Sequence, residues 1–209
     1  MILVLIQYGS YCTKLGRGDT SNVSCHRSSS LLRRFQAETG RCTIIHMLKI
    51  TFIPDNEDFS QAAKAYTDLW ANDGNRITEN IEKVAGKEFK ERNIEGTVFE
   101  GISQSNPLKL RASYDDNTKK ATLVHELLHR ISAEYMFNLP DKNEDLSLGL
   151  HKQIDLVLYD LWTELYGREF ADEQVAIESK RTSVYKEAWD WALNFQKHDR
   201  QKIFVRLRS

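Results

Sequence analysis

From residue 47 the chain falls into blocks whose hydrophobic period changes. Leu48-Lys-Ile-Thr-Phe-Ile53 alternates with a period of two and predicts a strand, stopped by Pro54-Asp55-Asn56. Phe59, Ala62, Ala63, Tyr66, Leu69 and Trp70 then recur at helical spacing, predicting a helix over about 57–71. Asn72-Asp73-Gly74 reads as its breaker, and a second helix follows to about Lys90, with Ile77, Ile81, Val84 and Phe89 inward. Two short strands are expected near Thr97–Ser103 and Leu108–Tyr114, separated by Ser105-Asn106-Pro107.

Asp115, Asp116 and Asn117 offer an N-cap to a third helix reaching about Phe137. After a polar loop containing Pro140, a fourth helix runs from about Ser147 to Tyr166 and ends at Gly167. A fifth is expected over about 172–196, carrying Val175, Ile177, Val184, Ala188, Trp189, Trp191, Ala192 and Phe195. The pattern predicts an α+β fold. A mostly helical single domain over 47–196 would carry a small antiparallel sheet on its third helix, followed by a basic tail at 197–209.

Composition separates residues 1–46 from the rest. They hold all three cysteines, Cys12, Cys25 and Cys42, and six basic residues against two acidic ones. That is a charge of about +4 against about −5 for the remainder, within a whole-chain value of −1. They are read as a poorly ordered extension outside the domain, with a cysteine-bearing pro-segment as the competing view. The opening Met1-Ile-Leu-Val-Leu-Ile lacks the basic flank and cleavage site of an export signal. With no cysteine after residue 42, a cytoplasmic location is expected. No apolar run is long enough to span a bilayer, so no membrane partner is expected. The near-zero net charge gives no general pull towards nucleic acid.

The chemistry concentrates in the third helix, where His125-Glu126-Leu127-Leu128-His129 stands. Histidines four apart share one helix face, a spacing at which both imidazoles reach one zinc ion. Glu126, offset by one residue, points beside the metal, where a carboxylate can take a proton from a water. Val124, Leu128, Ile131 and Tyr135 form a separate core stripe, which sets the histidines on a neighbouring surface with Ser132 and Met136. On the fourth helix, His151 and Asp155 interrupt the apolar face made by Ile154, Leu158, Leu161, Trp162 and Leu165. Buried polar groups need partners. His151 as third metal ligand, with Asp155 supporting it through the second ring nitrogen, would satisfy both. Asp160 and Gln153 fall on the opposite, solvated face. Tyr159 is a candidate to polarise a substrate carbonyl, and Glu134 and Glu144 are weaker ligand candidates.

The five-residue motif, set between strand candidates and a second polar-bearing helix, resembles the zincin metallopeptidases, and most closely the minimal gluzincin-like group. The resemblance covers about residues 96–166. In that group the downstream helix carries Glu-x-x-x-Asp. The glutamate binds zinc and the aspartate supports the first histidine; the matching segment here is His151-Lys-Gln-Ile-Asp155, with histidine in the ligand position. A third histidine is also similar to the SprT-like peptidases that act on DNA-bound proteins. The resemblance implies a Zn2+-dependent peptidase acting on a peptide or protein substrate, with Glu126 catalytic, His125, His129 and His151 as ligands, and Asp155 behind them. A non-catalytic domain with a structural metal, and a DNA-associated protein-processing factor, are the alternatives.

Overall fold

The computed structural model describes residues 47–209. The expectations for Cys12, Cys25, Cys42 and the leading segment lie outside the described residues. The fold is α+β, as its periodicities indicate. Strand β1 (Lys49–Pro54) turns Ile50 and Phe52 inward and Lys49, Thr51 and Ile53 outward. After a short 3-10 turn at Glu57–Phe59, helix α1 (Ser60–Ala85) runs unbroken for 26 residues.

The break expected at Asn72-Asp73-Gly74 does not occur. Gly74 stays helical because the Trp70 ring lies where its side chain would be, and an ideal Cβ there would sit 2.7 Å from that ring. The buried Thr78 hydroxyl donates to the Gly74 carbonyl at 2.7 Å. The helix ends at Gly86, whose φ of 62° is the left-handed cap conformation that glycine adopts without strain.

Strands β2 (Asn93–Phe99), β3 (Gln104–Ser105) and β4 (Leu108–Arg111) complete a four-stranded sheet of order β1-β2-β4-β3. The antiparallel sheet expected from the sequence is instead mixed. β1 pairs with β2 and β2 with β4 in parallel, and only the two-residue β3 runs antiparallel to β4. The reason is connectivity: α1 carries the chain back across the sheet before β2 begins, so both strands point the same way.

Helix α2 (Asp116–Glu134) starts where expected, with the Asp115 carboxylate accepting from the Thr118 amide, and stops before Tyr135. Ala121, Leu123, Val124, Leu127, Leu128 and Ile131 make it the central element of the core, packed by α1, α3 (Leu146–Tyr166), α4 (Arg168–Glu178) and the sheet. The long helix expected over 172–196 is two. Helix α4 begins directly after Gly167, and α5 (Ser183–Leu193) restarts behind Thr182, whose hydroxyl caps the Tyr185 amide. The basic run at 197–209 is no solvated tail. It forms α6 (Lys197–Leu207), which buries Phe204 and pairs Arg200 with Asp160 at 2.9 Å. Asp160 and Gln153, expected in solvent, are both enclosed; Gln153 donates to the Asn138 carbonyl at 2.8 Å. Among the described residues, no helix is long and apolar enough to cross a membrane.

Candidate metal centre

Helix α2 presents His125 and His129 on successive turns with ring centroids 4.9 Å apart. Near the start of α3, His151 leans onto both, its ring 5.5 Å from that of His125 and 5.1 Å from that of His129. One ring nitrogen from each lies within 4.8 Å of the others. His125 is only 2% exposed, whereas His129 and His151 are half-buried, so the cluster is closed behind and open in front.

The carboxylate behind the cluster is one the sequence did not single out. At the last residue of α4, Glu178 (1% exposed) places Oε1 3.1 Å from His125 Nδ1. Its Oε2 accepts from Trp189 Nε1 at 3.1 Å. With Nδ1 turned to Glu178, His125 has Nε2 left for a metal, the arrangement by which carboxylates fix the tautomer of metal-binding histidines. His151 is oriented by the Ser147 carbonyl, 2.7 Å from its Nδ1.

Asp155 therefore does not hold His151 as expected. It is wholly buried, and neither carboxyl oxygen has a hydrogen-bond partner among the described residues. The backbone one turn earlier supplies what His151 needs, because a ring at the start of a helix reaches the carbonyl four residues before it. Burial, and then the negative charge of Glu178, push the Asp155 pKa well above the usual carboxylate range. A proton on Asp155 is how this carboxyl tolerates its surroundings without a cation.

Other expectations resolve differently. Tyr159 donates to Asp172 at 2.7 Å. The tyrosine at the cluster is Tyr185 of α5, whose ring lies 4.3 Å from that of His151 and 6.0 Å from that of His125. Glu134 accepts from the Lys90 amide at 2.8 Å, and Glu144 pairs with Lys152. Met136 is exposed, while Ser132 is buried. Two surface hollows of about 330 and 380 Å³, one beside Phe204 and one beside Phe59, lie away from the histidines.

Electrostatics separates the roles. Burial, then repulsion by His125 and His151, holds the His129 pKa well below its ordinary value. Burial and His125 bring His151 down to about 4. Both are neutral at pH 7, the state in which imidazole binds a metal. Burial also opposes a charge on His125, but the Glu178 carboxylate outweighs it and raises the pKa. Glu126, 6% exposed and next to His125, is pushed up to about 7, chiefly by burial, with His125 pulling the other way. Its carboxyl can thus hold or release a proton near neutrality.

The donor set suits zinc. Three imidazoles with bonds of about 2.0–2.1 Å bring their nitrogens roughly 3.3 Å apart in a tetrahedral site, a small inward adjustment from the span found here. Were zinc bound by the three imidazoles, the open side would leave room for a fourth ligand. No family model, curated protein or solved structure matches this chain.

Proposed function

We propose that this protein is a zinc-dependent peptide hydrolase in which His125, His129 and His151 hold the metal and Glu126 is the general base. One observation carries the reading: three imidazoles from two helices converge, and the adjacent Glu126 carboxyl is left out of the ligand set. When bound, zinc supplies Lewis acidity to a carbonyl oxygen and lowers the pKa of a water towards about 7. Glu126 would take the proton of the attacking water and return it to the leaving amine. Glu178 keeps His125 in the tautomer that leaves Nε2 free, and the Ser147 carbonyl does the same for His151. The half-exposed rings of His129, His151 and Tyr185 form the side from which a peptide can approach. Residues 47–209 contain no cysteine, so this reading needs no oxidising compartment and fits the cytoplasm.

The test uses zinc analysis and a quenched fluorescent peptide library with the full chain. Wild type should bind about one zinc per chain and cleave library members. His125→Ala, His129→Ala and His151→Ala should each lose the metal. Glu126→Gln should keep the metal and lose cleavage. Wild type that stays metal-free in zinc buffer would overturn the reading. So would cleavage that survives in Glu126→Gln. Zinc bound with no cleavage by wild type moves the site to a structural role.

A further inference from the structure

Arg181 sits in the short link between α4 and α5, at the edge of the histidine cluster. Its guanidinium lies 4.9 Å from the centre of the Tyr114 ring and its Nη1 3.6 Å from Glu178 Oε1, with 23% of the side chain exposed. The other enclosed arginines commit their forks. Arg92 donates to Glu82 and Glu88 at 2.7 Å each, Arg130 to the Ser105 carbonyl and to Glu91, and Arg200 to Asp160 and the Phe195 carbonyl. Among the described residues, the Arg181 side chain donates no hydrogen bond; its ion pair with Glu178, at 3.6 Å, is longer than one.

Glu178 does not need that fork either. Trp189 Nε1 donates to one of its oxygens, and His125 Nδ1 lies 3.1 Å from the other. The Tyr114 ring beside the guanidinium carbon of Arg181 makes a cation–π contact that consumes none of its N–H groups. Through Glu178, which is 3.1 Å from His125 Nδ1, Arg181 lies one side chain away from the histidine cluster, and its positive charge acts on Glu126, His125 and Tyr185. A planar, permanently charged fork beside an aromatic ring, with donors not committed to hydrogen bonds, matches one ligand chemistry best: a carboxylate bound through both oxygens.

Resting on the peptide-hydrolase reading, we propose that Arg181 receives a carboxylate of the substrate close to the scissile bond. Only the Glu178 carboxylate, 3.6 Å from Arg181 and 3.1 Å from His125, separates the fork from the cluster; with consecutive Cα atoms about 3.8 Å apart, the group belongs to a residue a few positions at most from that bond. Two sources share this chemistry, a free C-terminus and an acidic side chain. The first makes the enzyme an exopeptidase acting at C-termini, and the second gives it a preference for Asp or Glu.

The binding test uses the zinc-loaded, full-length Glu126→Gln chain, which separates recognition from turnover. Four probes are titrated: benzoyl-glycyl-phenylalanine, its C-terminal amide, benzoyl-glycyl-glutamate amide and benzoyl-glycyl-glutamine amide. A carboxylate probe should bind about 10–100-fold tighter than its neutral counterpart, the usual range for a charged hydrogen-bonded pair. The first pair reports a C-terminal source and the second a side-chain source. Adding Arg181→Gln should erase the preference with zinc content and Tm unchanged, and Arg181→Lys should keep part of it. Equal binding of both pairs overturns the proposal, as does a preference that persists in Arg181→Gln, which would place the carboxylate on the metal. A variant that loses zinc or stability while Arg181→Lys shows the full parental preference makes Arg181 only a counter-ion of Glu178. Cleavage by wild type that is equal within both probe pairs would sink this proposal and leave the hydrolase reading standing. A chain that binds no zinc would sink the hydrolase reading itself.

Discussion

Replacing Glu178 by glutamine tests the metal centre from behind. The amide has the shape of the carboxylate, so packing is kept while the negative charge is lost and the hydrogen-bond character changes. Trp189 Nε1, 3.1 Å from Oε2, can only donate, so it holds the amide oxygen in that place. The amide NH2 then faces His125 Nδ1, 3.1 Å from the position of Oε1. Two donors cannot share that contact. His125 moves its proton to Nε2, and that nitrogen is blocked as a ligand until the tautomer reverses. Loss of such a supporting group lowers metal affinity by about 10–100-fold, which is about 1.4–2.7 kcal/mol at 1.36 kcal/mol per decade. The assay is competition for zinc against a chromophoric chelator at neutral pH. A thermal melt in EDTA should show that the metal-free fold survives. A zinc Kd within about twofold of wild type would refute the reasoning, because the tautomer argument allows no such tolerance.

Asp155 gives a pH signature in metal-free protein. Its folded pKa is raised, so folded chains keep a proton that unfolded chains release near pH 3.9. This group therefore costs stability as pH rises above about 4. Urea midpoints measured in EDTA between pH 4 and 7 should fall further with pH, or rise less, in wild type than in Asp155→Asn; coincident slopes would count against it. Arg200→Ala leaves Asp160 enclosed without its 2.9 Å partner and with only Lys197 at 3.9 Å. The expected loss is about 3 kcal/mol, a fall in Tm of roughly 6–12 °C by calorimetry; a shift under 2 °C would show that the pair is screened. Gly74→Ala should destabilise α1 despite a helix-propensity gain of about 1 kcal/mol, since the new Cβ would press on the Trp70 ring at 2.7 Å. The same change made together with Trp70→Leu should be neutral or stabilising, and a stabilised single variant would contradict the packing argument.

What the sequence made legible was local. Asp115 caps α2 by a side-chain contact three residues away, and the apolar spacing of each helix is its own. The histidines of α2 face one way because they are four apart. Strand direction is different: Ile50 and Phe52 alternate identically whether β2 runs with β1 or against it. Gly74 looks like a terminator until the Trp70 ring is seen lying over it. The largest gap concerns the site itself. The α4–α5 turn at residues 179–182 decides that Glu178 and Tyr185 arrive at His125 and His151, and nothing in either residue's own neighbourhood marks it for that place. Asp155 had the better local pattern, one turn from a histidine, yet burial beside another carboxylate gives it a different part.

The proposed ligands and their support come from three helices, with His125 and His129 on α2, His151 on α3 and Glu178 on α4. An ion held by all three imidazoles would not leave by the swing of one side chain. Its full release would need the α2 and α3 ligands to part, a local opening of the molecule. Metal-exchange kinetics would then report a conformational event: the off-rate, followed with an isotopically labelled ion, should track the hydrogen-exchange rates of the amides around Ser147–His151 and Glu178.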